Sequence, residues 1–129
     1  MQLLLDTHAF IWSAASPQSL TSAARRAIQD PTNDIYISAV SAWEIVIKHG
    51  LGKISLPQAP EIWVPSRIVA MGFKSLSIRL EHTLAVTSLP HHHEDPFDRM
   101  LLAQATVENL TVVTRDLRML KYKIPTLKA

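Results

Sequence analysis

Residues 1–6, MQLLLD, decide the fold. An almost wholly apolar run this short is too brief for a helix. It reads as a buried strand of a parallel sheet, where both faces are covered and the apolar–polar alternation disappears. The run ends in a carboxylate. A charge directly after a buried strand needs a partner, so Asp6 is the first candidate functional residue. Residues 7–15 then read as a short helix carrying Phe10, Ile11 and Trp12, broken by Ser16, Pro17 and Gln18.

The same succession repeats along the chain. A helix over residues 21–29 ends in the turn cluster 30–34, and Ile35, Tyr36 and Ile37 form a second strand. Ser38 or Ser41 opens a helix to about His49, closed by Gly50 and Gly52. Residues 62–71 read as a helix with Pro65 in its first turn, ended by Gly72. A third strand covers residues 73–78 and a short helix residues 80–87. After a polar loop at 90–95, a long helix runs from Pro96 to about Glu108. Residues 110–113 are a fourth strand, 115–121 a helical piece, and 124–127 a fifth strand at the edge. Strands alternating with helices imply an α/β fold, a parallel sheet sandwiched by helices. The length, 129 residues, suits one domain over residues 1–129.

Composition narrows the function classes. With no cysteine, disulfide frameworks and thiolate metal sites are excluded, which suits a reducing, cytoplasmic setting. No apolar run approaches the roughly 20 residues that span a bilayer, so no membrane role is expected. The formal charge is +2, from 13 basic and 11 acidic residues. If several acids gather in one pocket, the rest of the surface is more basic than that, which suits a polyanionic partner.

Four acids stand at strand–helix junctions. Asp6 follows the first strand, Glu44 lies early in the helix after the second, Asp98 is in the first turn of its helix, and Asp116 follows the fourth strand. In parallel sheets, ligands bind at the carboxyl ends of the strands, where strand order reverses. Two unit charges 4 Å apart repel by about 4 kcal/mol at an effective dielectric of 20. A carboxylate cluster therefore keeps protons or takes a cation. Mg²⁺ or Mn²⁺ suits it, and such an ion supports hydrolytic phosphate chemistry. Each acid also has a local explanation: Asp98 at a helix N-terminus behind the N-cap Asp95, Glu44 in a capping box with Ser41, Asp116 as a turn cap.

Other residues are weighed the same way. Thr7 and Thr114 flank two of the acids and can donate hydrogen bonds to them, or cap the adjacent turns. His91, His92 and His93 are read as a solvated loop, since three adjacent rings do not readily converge on one ion. Arg115, Arg118 and Lys121 are candidates for neutralising a phosphate backbone. Trp43, Ile45, Val46 and Ile47 make their helix apolar on more than one side, which points to a partner surface as well as a core.

The segments LLLDTHAFIW from Leu3, ISAVSAWEIVIKHGLGKISLP from Ile37, HHHEDPFDRMLLAQA from His91 and LTVVTRD from Leu110 together resemble the PIN-domain ribonucleases. Within that group they are similar to the VapC toxins of type II toxin–antitoxin modules. The resemblance implies a three-layer α/β/α fold with five parallel strands. It also implies Mg²⁺- or Mn²⁺-dependent endonucleolytic cleavage of an RNA substrate, a cognate antitoxin laid over the site, and a homodimer. Its acid set maps onto Asp6, Glu44, Asp98 and Asp116, with Thr114 as the nearby hydroxyl. Met119 and Glu94 depart from the residues frequent in the family at their positions. Two rival readings are a non-catalytic RNA- or protein-binding module and an aspartyl phosphatase. The phosphatase would place an acid two residues after Asp6, where His8 stands.

Overall fold

The computed structural model covers residues 1–129. Its five strands are β1 (Gln2–Leu5), β2 (Asp34–Ser38), β3 (Lys74–Leu76), β4 (Thr111–Thr114) and β5 (Thr126–Lys128). They form one parallel sheet in the order β3-β2-β1-β4-β5. β1 is central because it is apolar throughout: Leu3, Leu4 and Leu5 are all fully buried. Six helices connect the strands: α1 (Thr7–Ala15), α2 (Ser22–Gln29), α3 (Ala39–Gly50), α4 (Pro60–Ala70), α5 (Leu80–Ala85) and α6 (Pro96–Glu108).

The two-residue period of the strands sorts the core into two layers. Leu3, Leu5, Ile35, Ile37 and Val113 pack on one face with Phe10 of α1, Ala24 and Ile28 of α2, and Trp63 and Val64 of α4. Leu4 and Val112 pack on the other face with Leu101, Leu102 and Ala105 of α6. The result is a three-layer α/β/α sandwich. Burying each such leucine or phenylalanine contributes about 1.5–3 kcal/mol.

Strand order reverses between β2-β1 and β4-β5, so the switch point lies between β1 and β4. Leu5 is in register with Val113, and the Asp6 N–H extends the ladder to the Val113 carbonyl at 3.0 Å. This pairing sets the residue after β1 beside the last residue of β4.

Several local expectations need correction. Ser38, not Ser41, caps α3, its hydroxyl accepting the Val40 N–H at 3.0 Å. Ser41 is buried inside the helix, so the capping box with Glu44 does not form. α4 starts at Pro60, two residues early; Pro60 has no N–H to lose at a first helical position, and Pro65 lies in the interior rather than the first turn. Residues 86–88 tighten into a 3₁₀ turn, and only Met119–Lys121 of the expected segment 115–121 is helical, again as a 3₁₀ turn. The edge strands are shorter than or displaced from the sequence reading, because their limits follow pairing rather than apolar content. Gly72, at φ +69°, turns the chain out of α4 as only glycine does without strain. No helix is long and apolar enough to cross a membrane.

Candidate active site

A cavity of about 410 Å³ opens at the carboxyl ends of β1 and β4. Five carboxylates line it: Asp6, Glu44, Asp95, Asp98 and Asp116. Three cations, Lys48, Arg115 and Arg118, share the wall with His8 and Trp12. The carboxylates outnumber the fixed cations by two.

Asp6 is buried and N-caps α1, its Oδ1 accepting the Ala9 N–H at 2.8 Å. Its Oδ2 accepts the Thr114 hydroxyl at 2.6 Å. The same Thr114 oxygen accepts the Asp116 N–H at 3.0 Å. One buried hydroxyl thus ties the acid after β1 to the acid after β4. Burial raises the Asp6 pKa above its ordinary value; the Thr114 and Ala9 hydrogen bonds only partly oppose it.

Glu44 projects from the first turns of α3 and is 3% exposed. Its Oε1 lies 2.5 Å from Thr7 Oγ1, and Lys48, one turn on, pairs with Oε2. Thr7 Oγ1 is also 3.1 Å from Ser41 Oγ. Its single proton goes to the carboxylate, the stronger acceptor. The Lys48–Glu44 bond raises the lysine pKa despite partial burial, so the ammonium stays charged.

Asp98 and Asp116 approach each other around His93. Single ligand atoms of His93, Asp98 and Asp116 lie within 4.8 Å of one another; Asp6 and Glu44 line the same cavity outside that tight set. His93 Nε2 is 2.7 Å from Asp98 Oδ2 and 3.3 Å from Asp116 Oδ2. Burial, then the charge of Asp95, push Asp98 up to about 7, with His93 pulling the other way. At Asp116 burial pushes upward too, but the Arg118 side chain and the N–H groups of Arg118 and Met119 prevail and hold its pKa low. Asp95 caps α6 through the N–H groups of Phe97 and Asp98, at 2.9 and 3.1 Å, and also faces the cavity.

The donor set suits a divalent cation in charge and in free atoms. Carboxylates outnumber fixed cations by two, burial raises the pKa of two of the acids so that their charge is unmet without a cation, and Asp98 Oδ1 has no protein partner. Hard oxygen donors with unmet charge fit Mg²⁺ or Mn²⁺. A second cluster, Glu81, His82 and Glu108, is already served by Arg79, whose guanidinium pairs with both glutamates.

Some expectations fail here. His93 is 1% exposed, so the histidine run is not a solvated loop throughout; only His91 and His92 face solvent. Lys121 points away from the acids and lines a separate cavity with His92 and Tyr122. Arg115 reaches the site but is anchored: its Nε donates to the Ala129 main-chain oxygen at 2.9 Å, it bonds the Ser19 carbonyl, and its Cζ lies 4.5 Å over the Trp12 ring. The second apolar face expected of α3 is exposed: Trp43 is 58% and Val46 53% exposed, and the Trp43 ring packs edge-on to Phe97 at 5.2 Å. Lys48 was visible in sequence only as one more base, although its spacing from Glu44 is the helical ion-pair spacing.

The chain belongs to the PIN-domain family, whose model matches residues 3–125. Among named relatives, ribonuclease VapC16 of Mycobacterium tuberculosis (strain ATCC 25618 / H37Rv) is 42% identical over 59 residues, a match spanning 46% of this chain and 42% of that protein. Ribonuclease VapC22 of the same organism is 27% identical over 124 residues, 95% of this chain and 93% of that one. The fold is similar to that in the crystal structure of VapBC2 from Rickettsia felis bound to a promoter DNA fragment, with a TM-score of 0.71 at 15% identity and 98% coverage of both chains.

Proposed function

We propose that this chain, as one PIN domain over residues 1–129, is a Mg²⁺- or Mn²⁺-dependent endoribonuclease and the toxin of a cytoplasmic toxin–antitoxin pair. Its partners are an RNA substrate, a cognate antitoxin and a second copy of itself. The observation that carries the reading is the cavity at the β1–β4 switch point, where carboxylates exceed fixed cations by two. Two relatives named ribonucleases add support.

Asp6, Asp98 and Asp116 would supply the oxygens for the ion, and Glu44 would complete the acid set from α3. A divalent ion held there would supply Lewis acidity toward a phosphate oxygen and toward a water at neutral pH. The protein's own contribution is preorganisation. Thr114 holds Asp6, Thr7 and Lys48 hold Glu44, and the Arg118 N–H and Met119 N–H hold Asp116. Arg115 and Arg118 on the rim offer positive charge to the substrate backbone. Trp12, braced by Arg115, is the one apolar surface in the wall and a platform for a nucleobase.

The test is cleavage of single-stranded RNA by the purified chain with Mn²⁺ or with EDTA, beside Asp6→Asn. Internal cleavage that needs the ion and disappears in the variant is expected. Equal cleavage in EDTA, or an undiminished variant, contradicts the reading; no cleavage under either condition favours a binding module.

A further inference from the structure

Residues 86–95 run from α5 to α6 with little regular structure, yet they are held at many points. Tyr122 Oη accepts the N–H groups of His92 and His93, at 3.2 and 3.1 Å, and donates to the Pro90 carbonyl at 2.7 Å. Arg99, from α6, donates to Tyr122 Oη at 3.2 Å and to the carbonyls of Pro90, His93 and Val86 at 3.0, 3.3 and 3.3 Å. A guanidinium spent on carbonyls and a phenol, with no carboxylate, is a backbone clamp. What the clamp holds is the His93 ring, buried beside Asp98 and Asp116.

The ring's tautomer follows from its neighbours. Nδ1 accepts the Asp95 N–H at 3.2 Å, so Nδ1 carries no proton and Nε2 does. Nε2–H then donates to Asp98 Oδ2 at 2.7 Å and faces Asp116 Oδ2 at 3.3 Å. The proton blocks the lone pair that a metal would need. His93 therefore faces the acid site as a donor, although its position next to two carboxylates suggests a ligand.

We propose that His93 is a positioning residue: its Nε2–H fixes the separation and orientation of Asp98 and Asp116, and the Tyr122–Arg99 clamp fixes His93. This rests on the cation-dependent reading above. Groups that orient metal-ligating side chains typically alter affinity or activity by about 10–100-fold when removed.

The experiment is Mn²⁺ binding by calorimetry to the wild type, His93→Leu, His93→Gln and Tyr122→Phe, with circular dichroism for folding and steady-state RNA cleavage alongside. Tyr122→Phe touches no carboxylate and keeps the ring. It is expected to weaken Mn²⁺ binding by roughly tenfold and to lower kcat with KM for RNA unchanged. His93→Leu is expected to do so more strongly, and His93→Gln, whose amide places a donor near the Nε2 position, to restore much of the loss. Folded Tyr122→Phe and His93→Leu that bind Mn²⁺ as tightly as the wild type overturn the inference alone, and if His93→Leu does not fold, Tyr122→Phe decides. A wild-type chain that binds no Mn²⁺ overturns the functional reading and this inference together.

Discussion

The Thr114 hydroxyl donates to Asp6 at 2.6 Å although the two residues are 108 positions apart. The parallel register of β1 and β4 creates the contact, and the contact joins the two halves of the site. Because the same oxygen receives the Asp116 N–H, Thr114 orients two acids with one side chain.

Thr114→Val keeps the shape and removes the hydroxyl. Asp6 then loses its side-chain donor inside the protein and the Asp116 N–H loses its acceptor. We expect a stability cost of about 1–3 kcal/mol, read by urea denaturation, and a fall in RNA cleavage of roughly tenfold or more. Unchanged stability and cleavage would show that the bridge is incidental.

Lys48→Met removes the cation paired with Glu44 while keeping the aliphatic stem. Glu44 is left nearly buried with Thr7 as its one remaining side-chain donor. The variant should lose about 1–3 kcal/mol and, with Glu44 no longer held, cleave RNA with a lower kcat. A stability and a kcat equal to those of the wild type would show that Lys48 does not hold Glu44.

The raised acids give the metal-free protein a particular pH dependence. Asp98 sits at about 7 in the folded chain against an ordinary value of 3.8, and Asp6 is shifted in the same direction. Between those limits the native state holds a proton that the unfolded state has lost. Their contribution is therefore fully present below about 4 and falls away as pH rises toward 7. Asp30 and Asp116 are shifted downward, so their opposing effect lies below the ordinary range. In EDTA, the melting temperature should be higher at pH 5.5 than at pH 8. Mn²⁺ should reverse this at pH 8, adding about 2.7 kcal/mol at a hundredfold excess over Kd. A metal-free melting temperature that rises with pH over this range would contradict the burial of charge in the cavity.

Trp43→Ser probes the exposed face of α3. Trp43 is 58% exposed and leans on one ring, so its loss should cost no more than about 0.5–1.5 kcal/mol. If that face meets a partner, the change should shift the oligomeric state by light scattering or weaken antitoxin capture. A large loss of stability with neither change would return Trp43 to the core.

How far the sequence carried depended on range. β1, β2 and β4 announce themselves as short apolar runs because both sheet faces are covered, and the acids could be placed at their ends. Helix α6 carried its own start signal in Asp95 and Pro96. The position of His93 was invisible because tertiary contacts set it. Tyr122, 29 residues away, and Arg99 hold the His93 main chain, and its ring meets Asp98, Asp116 and the Asp95 N–H while its neighbours stay wet. The competition between Ser38 and Ser41 turned likewise on tertiary packing, since Ser41 is fully buried beside Thr7 of α1. Lys121 looked equivalent to Arg118, but the 3₁₀ turn at residues 119–121 carries it to another cavity.

The most direct measurement is anomalous scattering from crystals of the chain soaked in Mn²⁺. A peak is expected inside the cavity, within coordination distance of the oxygens of Asp6, Asp98 and Asp116 and not of His93 Nε2, and it should be lost in Asp6→Asn. An empty cavity with full RNA cleavage, or Mn²⁺ held instead at Glu81, His82 and Glu108, would contradict it.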